Sequence, residues 1–287
     1  MRRPLFRLLL FLLAISLAPP VGAQTHAAEP LPEKELLRNI LEDQEFFWTR
    51  PFRARQEDWK TWALLVGGTA GLMPIDTPTA RALADHEPGG GFAFSRRVGQ
   101  WSGAGMDFAV AGSFYLFGRT QGDSRARETG LLGAQAVANA LIITELFKLA
   151  AGRERPTRGG GRELISDGAG KFFQAGRSFP SGHAMQAWAL ATVVAEEYRH
   201  NPWVRYSAFG LAGFVSVARV TAREHFPSDI FVGSVLGYLI GRHVYRAHHR
   251  VPSLASRQNR LHWEFGAGVG PLSGRPALRL TLRFGNH

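Results

Sequence analysis

The feature that most constrains this chain is a succession of apolar segments of helical length: Trp62 to Ile75, Phe108 to Phe117, Leu131 to Ala151, Met185 to Tyr198, Trp203 to Val220 and Ile230 to Tyr245. Loops rich in glycine, proline and charge separate them. Segments of this length and spacing favour helices, whereas a half-buried strand alternates apolar and polar residues at every second position. No such alternation occurs before residue 260. The expectation is an all-α fold, a helical bundle over residues 61–250, with residues 24–60 as a polar lead-in carrying a short amphipathic helix from Glu33 to Phe47 that ends before Pro51.

The tail differs in kind. Trp263, Phe265, Ala267 and Val269 alternate with small or polar residues, and beyond the turn residues Pro271 to Pro276 so do Leu278, Leu280, Leu282 and Phe284. That pattern predicts a β-hairpin appendage within residues 251–287. Eight arginines and one glutamate fall between Arg242 and the end, so the tail is suited to contact with an anionic membrane surface as well as to folding back on the bundle. Two strands cannot close a barrel, which excludes an outer-membrane pore built from them.

At the other end, Arg2 and Arg3 precede the apolar stretch Leu8 to Leu17, and the small residues Val21, Gly22 and Ala23 follow. Residues 1–23 read as a secretory signal peptide, and an exported, periplasmic protein is expected. The alternative, an uncleaved anchor, meets the difficulty that a spanning helix needs about 20 apolar residues. The absence of cysteine excludes a disulfide framework, thiolate metal sites and a cysteine nucleophile.

The formal charge of +11 falls to +8 without Arg2, Arg3 and Arg7, and a basic protein attracts anions. No nucleic-acid-binding motif is present, so phosphorylated small molecules and anionic lipids are the expected partners and nucleic acid is not. None of the apolar segments is cleanly membrane-spanning. Gln135, Asn139 and Glu145 interrupt one, Arg205 and Arg219 another, and the mean hydropathy is slightly negative. A soluble or peripherally attached bundle is favoured over an integral membrane one, and the oligomeric state is not legible.

Three short stretches concentrate anion-binding and acid/base residues. The first runs from Lys148 through Gly152, Arg153 and Glu154 to Arg155 and Pro156; the second is Phe179, Pro180, Ser181, Gly182 and His183; the third contains Arg219, His225 and Asp229. In this order and at these spacings they resemble the three-part signature of the type 2 phosphatidic acid phosphatase superfamily, which includes class A acid phosphatases and is structurally related to vanadium-dependent haloperoxidases. The resemblance covers roughly residues 60–245. One departure is Ala218, where the pattern usually has a serine; the arginine that follows still supplies the charge.

A phosphoryl group in transfer spreads negative charge over its equatorial oxygens, so positioning and electrostatic stabilisation do most of the work. Lys148, Arg155 and Arg219 are the cations for this role. Ser181 and Gly182 stand where a loop becomes a helix, so the first free backbone N–H groups can hold an anion, with Gly182 permitting close approach. Ser181 is read both as a helix cap and as a hydroxyl on phosphate. His225 is the expected nucleophile, forming a phosphohistidine, with Asp229 fixing its tautomer. His183 is the expected general acid and then the base that activates water. The resemblance assigns the same roles to these positions and implies neither a cofactor nor a metal.

Other features take plainer readings. His86, His200 and His262 are read as ordinary core or surface histidines, and His243, His248 and His249 as a solvated or dipole-facing cluster rather than a metal site. Gly89–Gly91 and Gly159–Gly161 lack the lysine and hydroxyl of a phosphate loop and read as flexible loops, the second a candidate lid with Lys171, Phe172 and Phe173. Asp76 is read as structural. The sequence therefore predicts an exported phosphatase acting on phosphate monoesters or diphosphates, lipid phosphates among them. A vanadate-dependent haloperoxidase and a non-catalytic anion- or envelope-binding protein stand as alternatives.

Overall fold

The computed structural model describes residues 33–53, 58–85, 89–157, 169–249, 262–272 and 275–285. Among them are eight α-helices: α1 (Leu36–Thr49), α2 (Trp59–Ala84), α3 (Gly90–Trp101), α4 (Ala104–Gln121), α5 (Ser124–Ala151), α6 (Gly182–Glu197), α7 (Pro202–Thr221) and α8 (Pro227–His248). Short 3-10 turns flank α1. The helices outrun the apolar segments because their caps lie beyond them. Asp123 accepts the Ala126 N–H at 3.1 Å to open α5, and Asn201 accepts from Trp203 and Val204 to open α7, with Pro202 in the first position. Helix α5 stops at Gly152, which is left-handed (φ 49°) and returns its N–H to the Lys148 carbonyl. A Cβ there would lie 2.2 Å from the Gln174 carbonyl oxygen, so only glycine fits.

One helix was not expected. Gly89 is the N-cap of α3 and Gly90 and Gly91 form its first turn, so this glycine run is not a loop. Two glycines and the Arg96–Arg97 pair give the segment weak apolar periodicity; it is ordered instead by packing, with Phe94 against Phe214 of α7 and Ser95 accepting from Thr221 at 2.7 Å.

Helix α6 packs against α5, α7 and α8. Leu132, Ala136, Ala140, Met185, Ala189, Val193, Ile240 and Val244 form the main core. The approach of α8 to α6 depends on Gly233, Gly237 and Gly241, spaced four apart on one face. A Cβ at each would come within 2.6, 2.3 and 2.4 Å of the carbonyl oxygens of Ser181, Met185 and Ala189. Side-chain-free positions on one helix thus lie directly against the backbone of the other.

Helix α1 is tied to this bundle by polar contacts. The buried Asp43 accepts from Gln135 and Asn139 through one carboxylate oxygen, at 2.7 Å each, and lies 3.0 and 2.8 Å from His243 Nε2 and His248 Nε2 through the other. The three histidines at the end of α8 are therefore not a solvated cluster. His243 and His248 hold Asp43, and His249 lies between Glu128 and Glu197. Sequence order placed them at a charged helix end without showing which carboxylates fold against it.

Within α5 an apolar window is long enough to cross a membrane, and most of it is buried inside the bundle. The outer faces of α2 and α7 leave Trp59, Leu64, Val66, Trp203, Tyr206 and Val217 exposed. The tail forms a separate unit in which β1 (His262–Leu272) and β2 (Arg275–Gly285) pair antiparallel. The register sets Trp263 opposite Phe284, Phe265 opposite Leu282, Ala267 opposite Leu280 and Val269 opposite Leu278, as the alternation predicts. Residues 1–23 and the glycine run at 159–161 lie outside the described residues.

Candidate active site

The three motif stretches meet at one end of the bundle because of where helices stop and start. Lys148 lies in the last turn of α5 and Arg219 in the last turn of α7, while Ser181 stands at the N-cap position of α6 and His225 lies two residues before α8. Two helix C-termini present cations beside a helix N-terminus whose first amide groups lack intrahelical acceptors. The Lys148 ammonium lies 3.5 Å from where a Gly182 Cβ would stand, so the absence of that atom lets the cation sit against the opening turn of α6.

Ser181 occupies the N-cap position of α6 without acting as a side-chain cap. Its hydroxyl is buried and makes no hydrogen bond with the described residues, whereas its N–H donates to the Asp229 carbonyl at 3.1 Å. An N-cap serine ordinarily accepts a backbone N–H from the helix's first turn.

His225 is buried, and its Nδ1 lies 2.8 Å from the Ser178 carbonyl oxygen. Asp229 Oδ2 is 3.7 Å from the same nitrogen. The tautomer with a proton on Nδ1 is therefore set first by a backbone carbonyl, with the carboxylate as a nearby charge. Burial, opposed by Asp229, holds the imidazole pKa below its ordinary value and so favours the neutral ring.

Asp229 is fully buried. Burial pushes its pKa upward, but His225, Arg153 and a hydrogen bond from Ser178 outweigh this and leave it below the usual carboxylate range. Ser178 Oγ donates at 2.6 Å, Arg153 Nη1 at 2.6 Å and the Phe226 N–H at 2.9 Å. Arg153 also donates to Asp76 at 2.7 Å and to Ser228 Oγ at 2.7 Å, and its guanidinium lies between the Phe172 and Phe226 rings. Asp76 in turn accepts from the Ser228 N–H, which makes it structural. Ser228 stands inside α8 rather than capping it; Phe226 is the N-cap.

His183 Nε2 is 3.1 Å from the Gly99 carbonyl oxygen at the end of α3. Burial, then the positive charge of Arg219, with further lowering by His225 and Lys148, pulls its pKa down to about 3. The corner between α3 and α4 must pass close to this ring. A Cβ on Gly103, which is left-handed at φ 112°, would lie 3.0 Å from His183 Nε2, and one on Gly99 would overlap the Arg219 guanidinium.

Arg155 and Arg219 share one carboxylate. Arg155 Nη1 pairs with Glu224 Oε2, which lies 3.7 Å from Arg219 Nη2. The Arg219 Nε is buried and makes no hydrogen bond with the described residues. These arginines, with Arg96, Gly99, Gln100, Ala222 and Glu224, line an open cavity of about 210 Å³. Lys148 pairs with Glu145 at 2.9 Å, and Glu145 also holds Arg177.

The structure thus brings together Lys148, Arg155, Ser181, Gly182, His183, Arg219, His225 and Asp229. Sequence reasoning missed Arg153, Ser178, Glu224 and the α3 contribution of Arg96 and the Gly99 carbonyl. Of these only Arg153 carried a signal, as a second arginine beside Arg155; its companions act through backbone or shared charge. Phe172 packs on Arg153, Phe179 and the neighbouring Phe173 ring, while Phe173 is largely exposed.

Residues 130–252 match the PAP2 superfamily. A lipid A 1-phosphatase of Porphyromonas gingivalis is 35% identical over 68 residues, covering 23% of this chain and 15% of that protein. A PA-phosphatase related-family protein of Dictyostelium discoideum is 28% identical over 155 residues, covering 49% of this chain and 55% of that one. The chain thus spans about half, or less, of the length of these relatives. Among solved structures, Aquifex aeolicus LpxE is 18% identical with a TM-score of 0.43, covering 60% of this chain and 95% of its own. A transmembrane PAP2-type phosphatidylglycerolphosphate phosphatase of Bacillus subtilis is 21% identical with a TM-score of 0.36, covering 86% and 96%. The stretch from 130 to 252 that matches the PAP2 superfamily contains every motif residue of the site.

Proposed function

We propose that this protein is an exported phosphatase that hydrolyses phosphate monoesters or diphosphates through a phosphohistidine, with lipid phosphates as its preferred class. The observation that carries the reading is the gathering of Lys148, Arg155 and Arg219 around the opening turn of α6, with the half-buried His183 and the buried His225 beside them. A tetrahedral dianion fits that setting. The arginines grip oxygens in pairs, the lysine acts as a point charge, and the α6 amides with Ser181 Oγ donate to the remaining oxygens.

With Nδ1 of His225 engaged by the Ser178 carbonyl, Nε2 is the atom that attacks phosphorus. The N–P bond forms as the bond to the leaving oxygen breaks, and His183 gives that oxygen its proton. Water, deprotonated by His183, then attacks the phosphohistidine, releases phosphate and restores both imidazoles. Asp229 stabilises the positive character that His225 gains, and Arg153 keeps that carboxylate in place. Neutral His183 needs a compensating negative charge to take up its proton, and a phosphate dianion among the same cations supplies it.

The lipid preference rests on the exposed tryptophan and aliphatic side chains of α2 and α7, a surface suited to membrane association. The name of the lipid A 1-phosphatase relative points the same way. Export rests on the leader pattern of residues 1–23.

Hydrolysis of p-nitrophenyl phosphate and of phosphatidate by purified protein, with and without His225→Ala, tests the mechanism. We expect a loss of at least about three decades, roughly 4 kcal/mol of barrier. Undiminished turnover removes His225 as nucleophile.

A further inference from the structure

At the end of the bundle opposite the phosphatase site, three elements converge on Glu128 near the start of α5, Glu197 at the end of α6 and His249 just after α8. Twenty residues of α5 separate Glu128 from Lys148, about 30 Å at 1.5 Å per residue. Both carboxylates belong to side chains that are 4% exposed, and the imidazole is 24% exposed, which leaves an approach from solvent.

The geometry within the triad is unusual for a set of hydrogen bonds. His249 Nδ1 lies 3.2 Å from Glu128 Oε1 and 3.4 Å from Glu197 Oε2, within ion-pair range of both. Yet Nδ1 and Glu197 Oε2 are buried atoms that make no hydrogen bond with the described residues. The three ligand atoms lie within 4.8 Å of one another. Ligands about 2.1 Å from a tetrahedral zinc ion are about 3.4 Å apart, and the two nitrogen–oxygen separations match that edge. The ring is fixed for such a role by stacking on Tyr245, with centroids 4.5 Å apart and planes 14° from parallel.

We propose that Glu128, Glu197 and His249 form a binding site for a divalent transition-metal ion of the zinc class, which clamps α5, α6 and α8 together at the end remote from catalysis. Two carboxylates and an imidazole suit a borderline cation better than magnesium or calcium, which prefer all-oxygen cages. Three protein ligands leave one position of a tetrahedron for water. The competing occupant is a proton, since Glu128 and Glu197 together raise His249 to about 9.

The test is zinc binding to full-length protein stripped with chelator and dialysed, read by calorimetry and by the shift in melting temperature, with magnesium in parallel. We expect one saturable zinc equivalent and a raised melting temperature, with no response to magnesium. The equivalent is lost in Glu197→Gln and in His249→Gln. It is retained in His225→Ala and in the double variant His243→Asn, His248→Asn. His249 lies beyond the last helical turn, so its variant decides the question should Glu197→Gln fail to fold. A wild type that takes up no zinc, being satisfied by the proton alone, overturns the proposal. So does an equivalent that survives in His249→Gln, or one that disappears only with His225 or with the Asp43-bound histidines.

Discussion

Single side chains at the site separate roles that residue type alone confuses. Ser181 is the sharpest case. A serine at an N-cap that makes its capping bond costs about 1 kcal/mol of stability when replaced by alanine, but the Ser181 hydroxyl makes no such bond. We therefore expect Ser181→Ala to leave the melting temperature nearly unchanged while lowering kcat about 10- to 100-fold, checked by calorimetry beside initial rates. His183 gives a pH prediction. Burial, with the cations Arg219 and Lys148 and the His225 ring nearby, puts it at about 3 in the free protein, and a bound dianion raises it. Because kcat/KM reports the free enzyme and kcat the complex, the descending limb of kcat should lie at higher pH than that of kcat/KM; coincident limbs would remove His183 as the proton donor. The convergence of these side chains was legible in the sequence only because three short motifs occur as a set; singly, a lysine or arginine at a helix end is accounted for by the helix dipole. The division of labour between Arg153 and Arg155 was not. They stand two residues apart in a loop, where no helical or strand period fixes direction, and only the fold sends one to Asp76 and Asp229 and the other to Glu224.

At the scale of elements, six of the eight described helices were anticipated from apolar segments, and α1 from its amphipathic pattern, whereas α3 was not. Its stability comes from contacts with α7 rather than from its own sequence, and tertiary packing of that kind leaves no periodic trace. The partnership of α6 and α8 was equally hidden, since glycines at 233, 237 and 241 are conspicuous only once the facing backbone is known. Gly237→Val puts a branched side chain where a Cβ alone would stand 2.3 Å from the Met185 carbonyl oxygen. Forced overpacking in a well-filled interior costs about 1–3 kcal/mol, sometimes more, and backbone can yield less than a side chain. A fall in the denaturation midpoint of at least that size is expected; an unchanged midpoint would mean that the helices separate freely.

For the whole molecule, the attachment of α1 makes stability pH-dependent in a defined window. Burial alone would raise Asp43, but hydrogen bonds with His243, His248 and Gln135 reverse that and bring it to about 2, from an ordinary value of 3.8. A carboxylate lowered in the folded state contributes stability that is complete above its unfolded pKa and is lost as pH falls through the folded one. Unfolding free energy should therefore drop by about 2 kcal/mol between pH 4 and pH 2 on account of this group. Denaturant titrations should show a shallower slope in that window for Asp43→Asn; equal slopes would place the carboxylate outside the linkage. The seam between α6 and α8 reaches further than stability. Ser181 and His183 open one of these helices, and His225 and Asp229 introduce the other. On the proposed mechanism, the span between the His225 and His183 imidazoles is therefore gauged by missing methyl groups along the barrel of the bundle, so that a substitution several turns away from any phosphate is expected to detune the reaction without touching a reacting atom.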